Sequence, residues 1–323
     1  MKPIASVLVP LYNAGPFISR CLDSLRAQSC DAIEILVLDD GSTDAGPDIV
    51  GSHALQDRRI KLYRQKNAGV ARTRNRLIEL AQAEYLCFVD ADDFVHPRYV
   101  ELLLRAAREQ KCALAMCKYE VVTSAMPDYA FPAATGANSC VHAQELIDLI
   151  YSKAEVEISI LCSKLYERAL FDGIRIPPDR IYEDGGTTYR LLHKAERIAV
   201  CEDTLYAYYM SDNSIMRSGF SDRHFDYYTM LDERLTAFSD WGCEEAYYLT
   251  QRRYCFKILD DRVQTKKGPA LQAQDARLAE MYKQRCRQLL SNPRAGLPAK
   301  IMFRTFGRFP GFYAVIKKYR YMG

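Results

Sequence analysis

Along the first two hundred or so residues, short uninterrupted apolar runs alternate with stretches of helical period. Residues 5–9, 33–38, 60–63 and 85–89 are runs of four to six apolar or β-branched positions with few interruptions, the pattern of strands covered on both faces. Between them, Ile18, Cys21, Leu22 and Leu25 recur at the spacing of one helix face, which predicts a helix over 17–27 and, by the same pattern, helices over 69–81 and 97–110. A fifth strand is expected over 113–122, a loop bordering a cleft over 124–139, helices over 144–151 and 186–193, and short strands over 198–201 and 205–209. Strands alternating with helices predict an α/β fold of right-handed βαβ units, with a mainly parallel sheet flanked by helices. Beyond residue 213 only helical spacing remains, as in Phe225, Tyr228, Leu231, Leu235 and Phe238. The expected division is an α/β domain over 1–217 and a helical carboxy-terminal region over 218–323.

Composition changes this picture little. At 323 residues the chain can bury a large core in one α/β domain with an appendage. Its 26% charged and 49% apolar residues exclude a disordered chain, and a net charge of +3 gives no reason to expect a nucleic-acid partner. Eleven cysteines with no Cys-x-x-Cys pair point to small buried hydrophobes rather than a disulfide framework or a zinc site. Without a signal-peptide pattern or an apolar run of bilayer length, the expectation is a cytosolic protein.

The candidate chemistry lies where strands stop. The run ending at Val89 meets Asp90, Asp92 and Asp93, and in open α/β sheets ligands gather at the carboxyl ends of strands. Crowded carboxylates favour a cation. Mg²⁺ or Mn²⁺ carrying a diphosphate suits such hard oxygens, because Mg²⁺ takes one or two carboxylates and fills its shell with phosphates and water. The plainer reading is an acidic turn capping the helix after Pro97. The second strand ends similarly in Asp39, Asp40 and Asp44, where Asp40 can also be a turn residue beside Gly41 and Asp44 reads as a helix N-cap before Pro47. Glu183 and Asp184 lie between Pro177-Pro178 and Gly185-Gly186. They are expected at a helix N-terminus that favours their ionised form, either as chemistry or as a capping pair.

Four segments, taken in order, resemble the family 2 glycosyltransferases of the GT-A fold, of the bacterial surface-polysaccharide type. They are Ser6-Val-Leu-Val-Pro-Leu-Tyr-Asn13, Val37-Leu-Asp-Asp-Gly-Ser-Thr-Asp44, Asn67-Ala-Gly-Val-Ala-Arg-Thr-Arg-Asn75 and Phe88-Val-Asp-Ala-Asp-Asp93. The segments 164–168, 180–184 and 213–216 resemble the second half of that family's bacterial members, so the likeness spans about 4–217. It implies a metal-dependent inverting transferase that moves a sugar from a nucleotide-sugar donor, a UDP-sugar, to a hydroxyl of a saccharide or lipid-linked saccharide.

The resemblance also assigns residues. Pro10, Tyr12, Asn13, Asp40, Lys66, Asn67, Arg74, Asp90 and Asp92 would bind the donor, with Asp40 accepting from uracil N3, Tyr12 offering an aromatic face, and Arg74 salt-bridged to a motif carboxylate. Asp92 would meet Mn²⁺ or Mg²⁺, with Asp90 on the metal or the ribose and Asp93 as a competing ligand. Asp184 would be the general base beside Glu183, while Lys164 and Arg217 would approach the diphosphate. The chain departs from the family at Ala71, Arg72 and Arg76, and the two arginines read equally well as surface-helix residues. All of this requires the two acidic clusters to converge across one pocket.

Two rivals stand beside this reading. A metal-dependent nucleotidyltransferase would carry a basic phosphate loop near the first strand, and residues 11–16 contain no Lys or Arg. A noncatalytic nucleotide-sugar-binding scaffold is the other. The tail from Lys300 to Tyr321 interleaves basic and aromatic residues, which suits either an anionic membrane surface or packing on the helical region.

Overall fold

The computed structural model describes residues 2–124, 126, 129–152, 155–210, 221–265 and 271–320. In chain order the first elements are β1 (Ala5–Leu11), α1 (Gly15–Arg26), β2 (Ile33–Asp39), α2 (Gly46–Gln56), β3 (Ile60–Arg64), α3 (Val70–Leu80), β4 (Tyr85–Phe88), β5 (Phe94–Val95) and α4 (Tyr99–Gln110). There follow β6 (Leu114–Val122), β7 (Asn138–His142), α5 (Ala143–Asp148), α6 (Glu155–Ser159), β8 (Lys164–Glu167), α7 (Thr188–Ala195) and β9 (Arg197–Tyr209). The helices α8 (Phe225–Asp240), α9 (Glu244–Thr265), α10 (Gln272–Ser291), α11 (Leu297–Arg308) and α12 (Pro310–Arg320) complete the chain.

The strands form one sheet in the order β3-β2-β1-β4-β8-β6-β9-β5, with β7 also on β9. The fold class is α/β as expected, but the sheet is mixed. β3, β2, β1 and β4 run parallel, β8 is antiparallel to both β4 and β6, and β5 and β7 are antiparallel to β9. The two short strands expected over 198–209 are a single strand. Its register slips where Cys117 pairs with Cys201 and Lys118 with Thr204, so Glu202 and Asp203 bulge out. Asp203 uses that position to accept hydrogen bonds from the Thr135 and Gly136 amides, which fixes the end of the long loop before β7.

The parallel half follows directly from the apolar runs. Every residue of β2 is buried, and α1 covers the sheet with Ile18, Cys21, Leu22 and Leu25. Leu11 pairs with Asp39, Asp39 with Arg64, and Leu8 with Phe88. The carboxyl ends of four parallel strands therefore share one edge, and the loops carrying Tyr12, Asp40, Asn67 and Asp90 leave from it.

The chain divides into two compact units, 1–147 with 154–214 and 148–153 with 215–323. The boundary expected between 217 and 218, with Arg217 itself and the segment 213–216, lies outside the described residues. In the second unit Tyr228, Leu231, Phe238, Tyr254, Ile258 and Leu278 form the core of α8, α9 and α10. Phe303 and Phe306 of α11 are buried as well, and the Tyr313 hydroxyl of α12 donates to Asp260 Oδ1 at 2.5 Å. All eleven cysteines are free, nine of them buried. Among the described residues no helix is long and apolar enough to cross a membrane.

Candidate active site at the strand ends

The turn after β4 sends its three carboxylates in different directions. It is closed by the Asp93 amide donating to the Asp90 carbonyl at 3.0 Å. Asp93 is 1% exposed; Oδ1 accepts from the Tyr209 amide at 2.7 Å and Oδ2 from the Tyr206 hydroxyl. Both of its oxygens are thus engaged in tying the turn to β9. Burial, and then the charges of Asp90 and Asp92, push its carboxyl well above the usual range. The Tyr206 hydroxyl in turn accepts from the Asp90 amide at 3.2 Å. Asp90 Oδ1 accepts from Arg74 Nη2 at 2.8 Å. The Asp92 carboxylate has no side-chain partner among the described residues, while its carbonyl accepts from Arg20 Nη2 at 2.9 Å. Burial first, and Asp90 second, push the Asp92 carboxyl up to about 6.

Arg20 has no counterpart in the sequence reading. It projects from α1 with its guanidinium 4.5 Å from the Phe94 ring centroid and 4.8 Å from that of Tyr209, a cation–π sandwich that aims it at the carboxylate turn. In sequence it passes for an ordinary polar residue beside the buried face of an amphipathic helix.

The second acidic pair arrives on an irregular stretch. Asp179 and Tyr182 adopt φ of 63° and 65°, a conformation that L-residues reach at a cost of order 1–3 kcal/mol each. Asn75 of α3 clamps the start of this stretch, donating to the Ile176 carbonyl at 2.8 Å and accepting from its amide at 3.1 Å. One turn-face away, Arg74 is 4% exposed, and its Nη1 donates to Asp184 Oδ1 at 2.7 Å and Glu183 Oε1 at 3.0 Å. A single guanidinium therefore joins Asp90 to Glu183 and Asp184. Burial works against that charge, but Asp184 and Asp90 outweigh it and hold Arg74 protonated.

The helix expected from about Gly186 begins at Thr188, and the Thr187 and Thr188 amides donate to the Asp184 carbonyl. The carboxylates turn toward Arg74, and Asp184 Oδ2 accepts from the Leu161 amide at 3.2 Å. Instead of a helix terminus favouring ionisation, burial raises both groups, assisted at Glu183 by Asp184. Lys164, expected near a diphosphate, is fully buried on β8 and donates to the carbonyls of Glu157 at 2.5 Å and Ile160 at 2.8 Å. It thereby braces the segment that presents the Leu161 amide; burial lowers its ammonium to about 8.

The remaining residues assigned to the donor line the same edge. Tyr12 is 54% exposed, Lys66 and Asn67 are exposed, and Pro10 is half-buried. Asn13, at φ 49°, accepts from the Thr43 amide at 2.8 Å, joining the first and second loops. Asp40 is 3% exposed and accepts from Gln65 Nε2 and the Ala68 and Gly69 amides, all at 2.8 Å. It shapes the loop that carries Lys66 and Asn67. Asp44 does more than cap α2: its two oxygens accept from Gly46 at 3.0 Å and Gly15 at 2.7 Å, the first residues of α2 and α1, where the helix dipoles favour a carboxylate.

Among the described residues no group of three or more Asp, Glu, His or Cys is arranged to hold an ion. Asp92, unpartnered and lying beside Asp90, nevertheless fits an ion that draws most of its ligands from phosphate and water.

Residues 6–147 match the family described as glycosyl transferase family 2. The putative teichuronic acid biosynthesis glycosyltransferase TuaG of Bacillus subtilis is 31% identical over 216 residues, covering 66% of this chain and 82% of that protein. The glycosyltransferase GlyG of Streptococcus pneumoniae is 29% identical over 227 residues, covering 68% of this chain and 75% of that one. In fold, the chain is similar to S. aureus TarS 1–349 in complex with UDP, with a TM-score of 0.70 at 19% identity over 100% of this chain and 92% of that one. These findings set aside the nucleotidyltransferase alternative, and the chain belongs to the family 2 glycosyltransferases, with their GT-A fold.

Proposed function

We propose that the protein is a metal-dependent, inverting transferase that moves a sugar from a UDP-sugar to a hydroxyl of a saccharide or lipid-linked saccharide, in bacterial surface glycan synthesis at the inner face of the cell membrane. The observation that carries this reading is Arg74, which holds Asp90 on one side and Asp184 on the other with bonds of 2.8 and 2.7 Å. The donor-binding and base candidates thus share one site. The likeness to TuaG, named as a putative glycosyltransferase of teichuronic acid biosynthesis, and the UDP in the TarS complex support the donor and acceptor classes.

In this reading the loops of Pro10 to Asn13, Asp40 and Lys66-Asn67 cradle the nucleotide, and Asp92 with Asp90 holds Mn²⁺ or Mg²⁺. The ion supplies Lewis-acid stabilisation of the charge that grows on the departing diphosphate. Asp184 takes the proton from the acceptor hydroxyl. Its Oδ2 faces the Leu161 amide and its Oδ1 faces Arg74, so the carboxylate is fixed in orientation. Burial raises its pKa, which strengthens it as a base. Arg74 then balances whichever of the two carboxylate sites carries more charge.

The test offers UDP-sugars with a saccharide acceptor and follows diphosphate release with Mn²⁺ and with chelator, for the parent and Asp184→Asn. Release should require the metal and fall by at least about 100-fold in the variant, with donor affinity kept. Turnover within about tenfold of the parent removes Asp184 as the base. Release indifferent to chelator removes the metal.

A further inference from the structure

The two carboxy-terminal helices have two apolar faces, and only one is used by the fold. Phe303 and Phe306 of α11 and Tyr313 of α12 are at most 8% exposed. The Tyr282 hydroxyl of α10 donates to the Phe303 carbonyl at 2.8 Å, and a Cβ at Gly307 would lie 2.8 Å from the Tyr282 ring. The inner face is therefore closely packed. The outer face is not. Leu297, Ile301, Phe309, Phe312 and Val315 are 70%, 55%, 58%, 51% and 53% exposed. They account for five of the seven large apolar side chains that are more than half exposed among the described residues, the others being Tyr12 and Leu55. A scattered exposed leucine is ordinary, whereas a cluster of aromatic and branched side chains on consecutive helices marks a contact surface.

Charge identifies what the surface meets. From Met281 to Gly323 the chain contains ten Lys and Arg and no Asp or Glu. Leu297, Ile301, Arg304 and Arg308 follow one another at steps of four, three and four residues, and all four are exposed. One stripe of α11 thus runs from apolar to cationic. Between α9, α11 and α12 lies a groove of about 1110 Å³ lined by Phe256, Leu297, Ile301, Phe306 and Phe312. Lys283, Arg285 and Arg294 pair with Glu280, Asp232 and the Glu244–Glu245 pair, whereas Arg304 and Arg308 of the exposed stripe enter no salt bridge among the described residues. Such a stripe repels a second copy of itself and disfavours a like-charged partner. It is attracted to a sheet of phosphates, at about 1 kcal/mol per cation near an anionic leaflet.

We propose that the outer face of α11 and α12 docks on an anionic phospholipid surface, with Phe309, Phe312, Ile301 and Leu297 in the headgroup boundary and Arg304 and Arg308 on lipid phosphates. This deepens the membrane location proposed above by naming the surface and the lipid chemistry it takes. The same arrangement resolves the two readings of the tail: its aromatics divide by helix face, one set to the core and the other to the lipid.

The test is co-sedimentation of the full chain with phosphatidylglycerol-containing vesicles and with phosphatidylcholine vesicles, without any sugar donor. The variants are Ile301→Glu/Phe312→Glu and Arg304→Glu/Arg308→Glu, which leave the packed face intact. The parent should bind the anionic vesicles only, each variant should bind at least about tenfold more weakly, and binding should weaken with added salt. Thermal unfolding and UDP release with a soluble acceptor should match the parent in both variants. Equal sedimentation of parent and variants, or equal binding to both vesicle types, overturns the proposal. So does a parent dimer, seen by light scattering, that the Phe312→Glu change dissolves while vesicles bind neither protein. Because vesicle binding and UDP release are read separately, failure of the docking surface is distinct from failure of the enzymatic reading.

Discussion

The two acidic turns that meet at Arg74 are held in place by different physics. Asp90 to Asp93 leave the end of a strand that is paired on both sides, to β1 and to β8, so the sheet ladder sets their position. Glu183 and Asp184 lie between Ile176 and Thr188, where no helix or strand forms. Their main chain is tied to the first turn of α7, where the Thr187 and Thr188 amides donate to the Asp184 carbonyl. The direction of their carboxylates, however, rests on a few individual bonds: Arg74 on both and the Leu161 amide on Asp184, with the Asn75 clamp on Ile176 upstream. A ladder distributes its restraint over many bonds, whereas a pinned loop loses a large share with each pin. The side of the site that carries the proposed base is therefore the weaker one, and Arg74 is the residue common to both.

The comparison breaks most directly at Arg74. Arg74→Ala leaves Asp90, Glu183 and Asp184 facing one another around a buried gap, and removal of one partner from a buried ion pair costs about 3–5 kcal/mol. Urea denaturation should show a loss of that size, together with loss of transfer. Arg74→Lys should restore little, because an ammonium lacks the planar fork that reaches two sides at once. A loss below about 1 kcal/mol in Arg74→Ala would mean that the loop's other bonds, among them those from Asn75, the Leu161 amide and the Thr187 and Thr188 amides, hold it without the guanidinium.

The same contrast explains what could be read from the sequence. β1 to β4 and their helices follow from apolar runs and helical spacing, and the predicted helix over 69–81 lies within one residue of Val70–Leu80 at each end. The carboxylates at Asp90 to Asp93 could be located because a buried strand must end somewhere fixed. Their separate fates could not. Asp92 and Asp93 are neighbours in the chain, yet one is unpartnered and the other is locked to Tyr206 and Tyr209, which lie more than a hundred residues further along. Lys164 is expected near the diphosphate from sequence because nothing local shows that its ammonium folds back onto the carbonyls of 157 and 160. The antiparallel insertion of β8 was equally hidden: four residues carry too little periodicity to state a direction. Arg20 was missed because its partners, Phe94 and Tyr209, come from a two-residue strand and the far end of β9.

A middle-sized effect sharpens the first of the two turns. The Asp92 carboxyl stands at about 6 in the folded protein, against about 3.9 when unfolded. The folded state thus keeps its proton to higher pH, and this group's contribution to stability declines as pH rises from about 4 to about 6, by at most about 3 kcal/mol. Asp92→Asn removes that decline. Denaturation at a series of pH values should show the parent losing ground to the variant across this window, and Mn²⁺ should recover it near neutrality if the ion sits on Asp92. A difference that stays flat with pH would mean that the Asp92 carboxylate is as well solvated as in the unfolded chain.

The smallest effect concerns Arg72, two positions before Arg74 and roughly 200° around the helix from it. It too reaches the irregular stretch, with Nη2 donating to Asp179 at 2.5 Å. Its side chain is 51% exposed and that of Asp179 is 65% exposed, whereas Arg74 is at 4%. Water and salt screen such a pair, and holding two long side chains together offsets much of the attraction. Arg72→Ala should therefore leave the urea midpoint unchanged within error and turnover within about twofold. A clear loss of stability, persisting in high salt, would show that the loop is pinned along its exposed side as well, and the distinction between the ladder-held and bond-held turns would then have to be drawn without assigning a special place to Arg74.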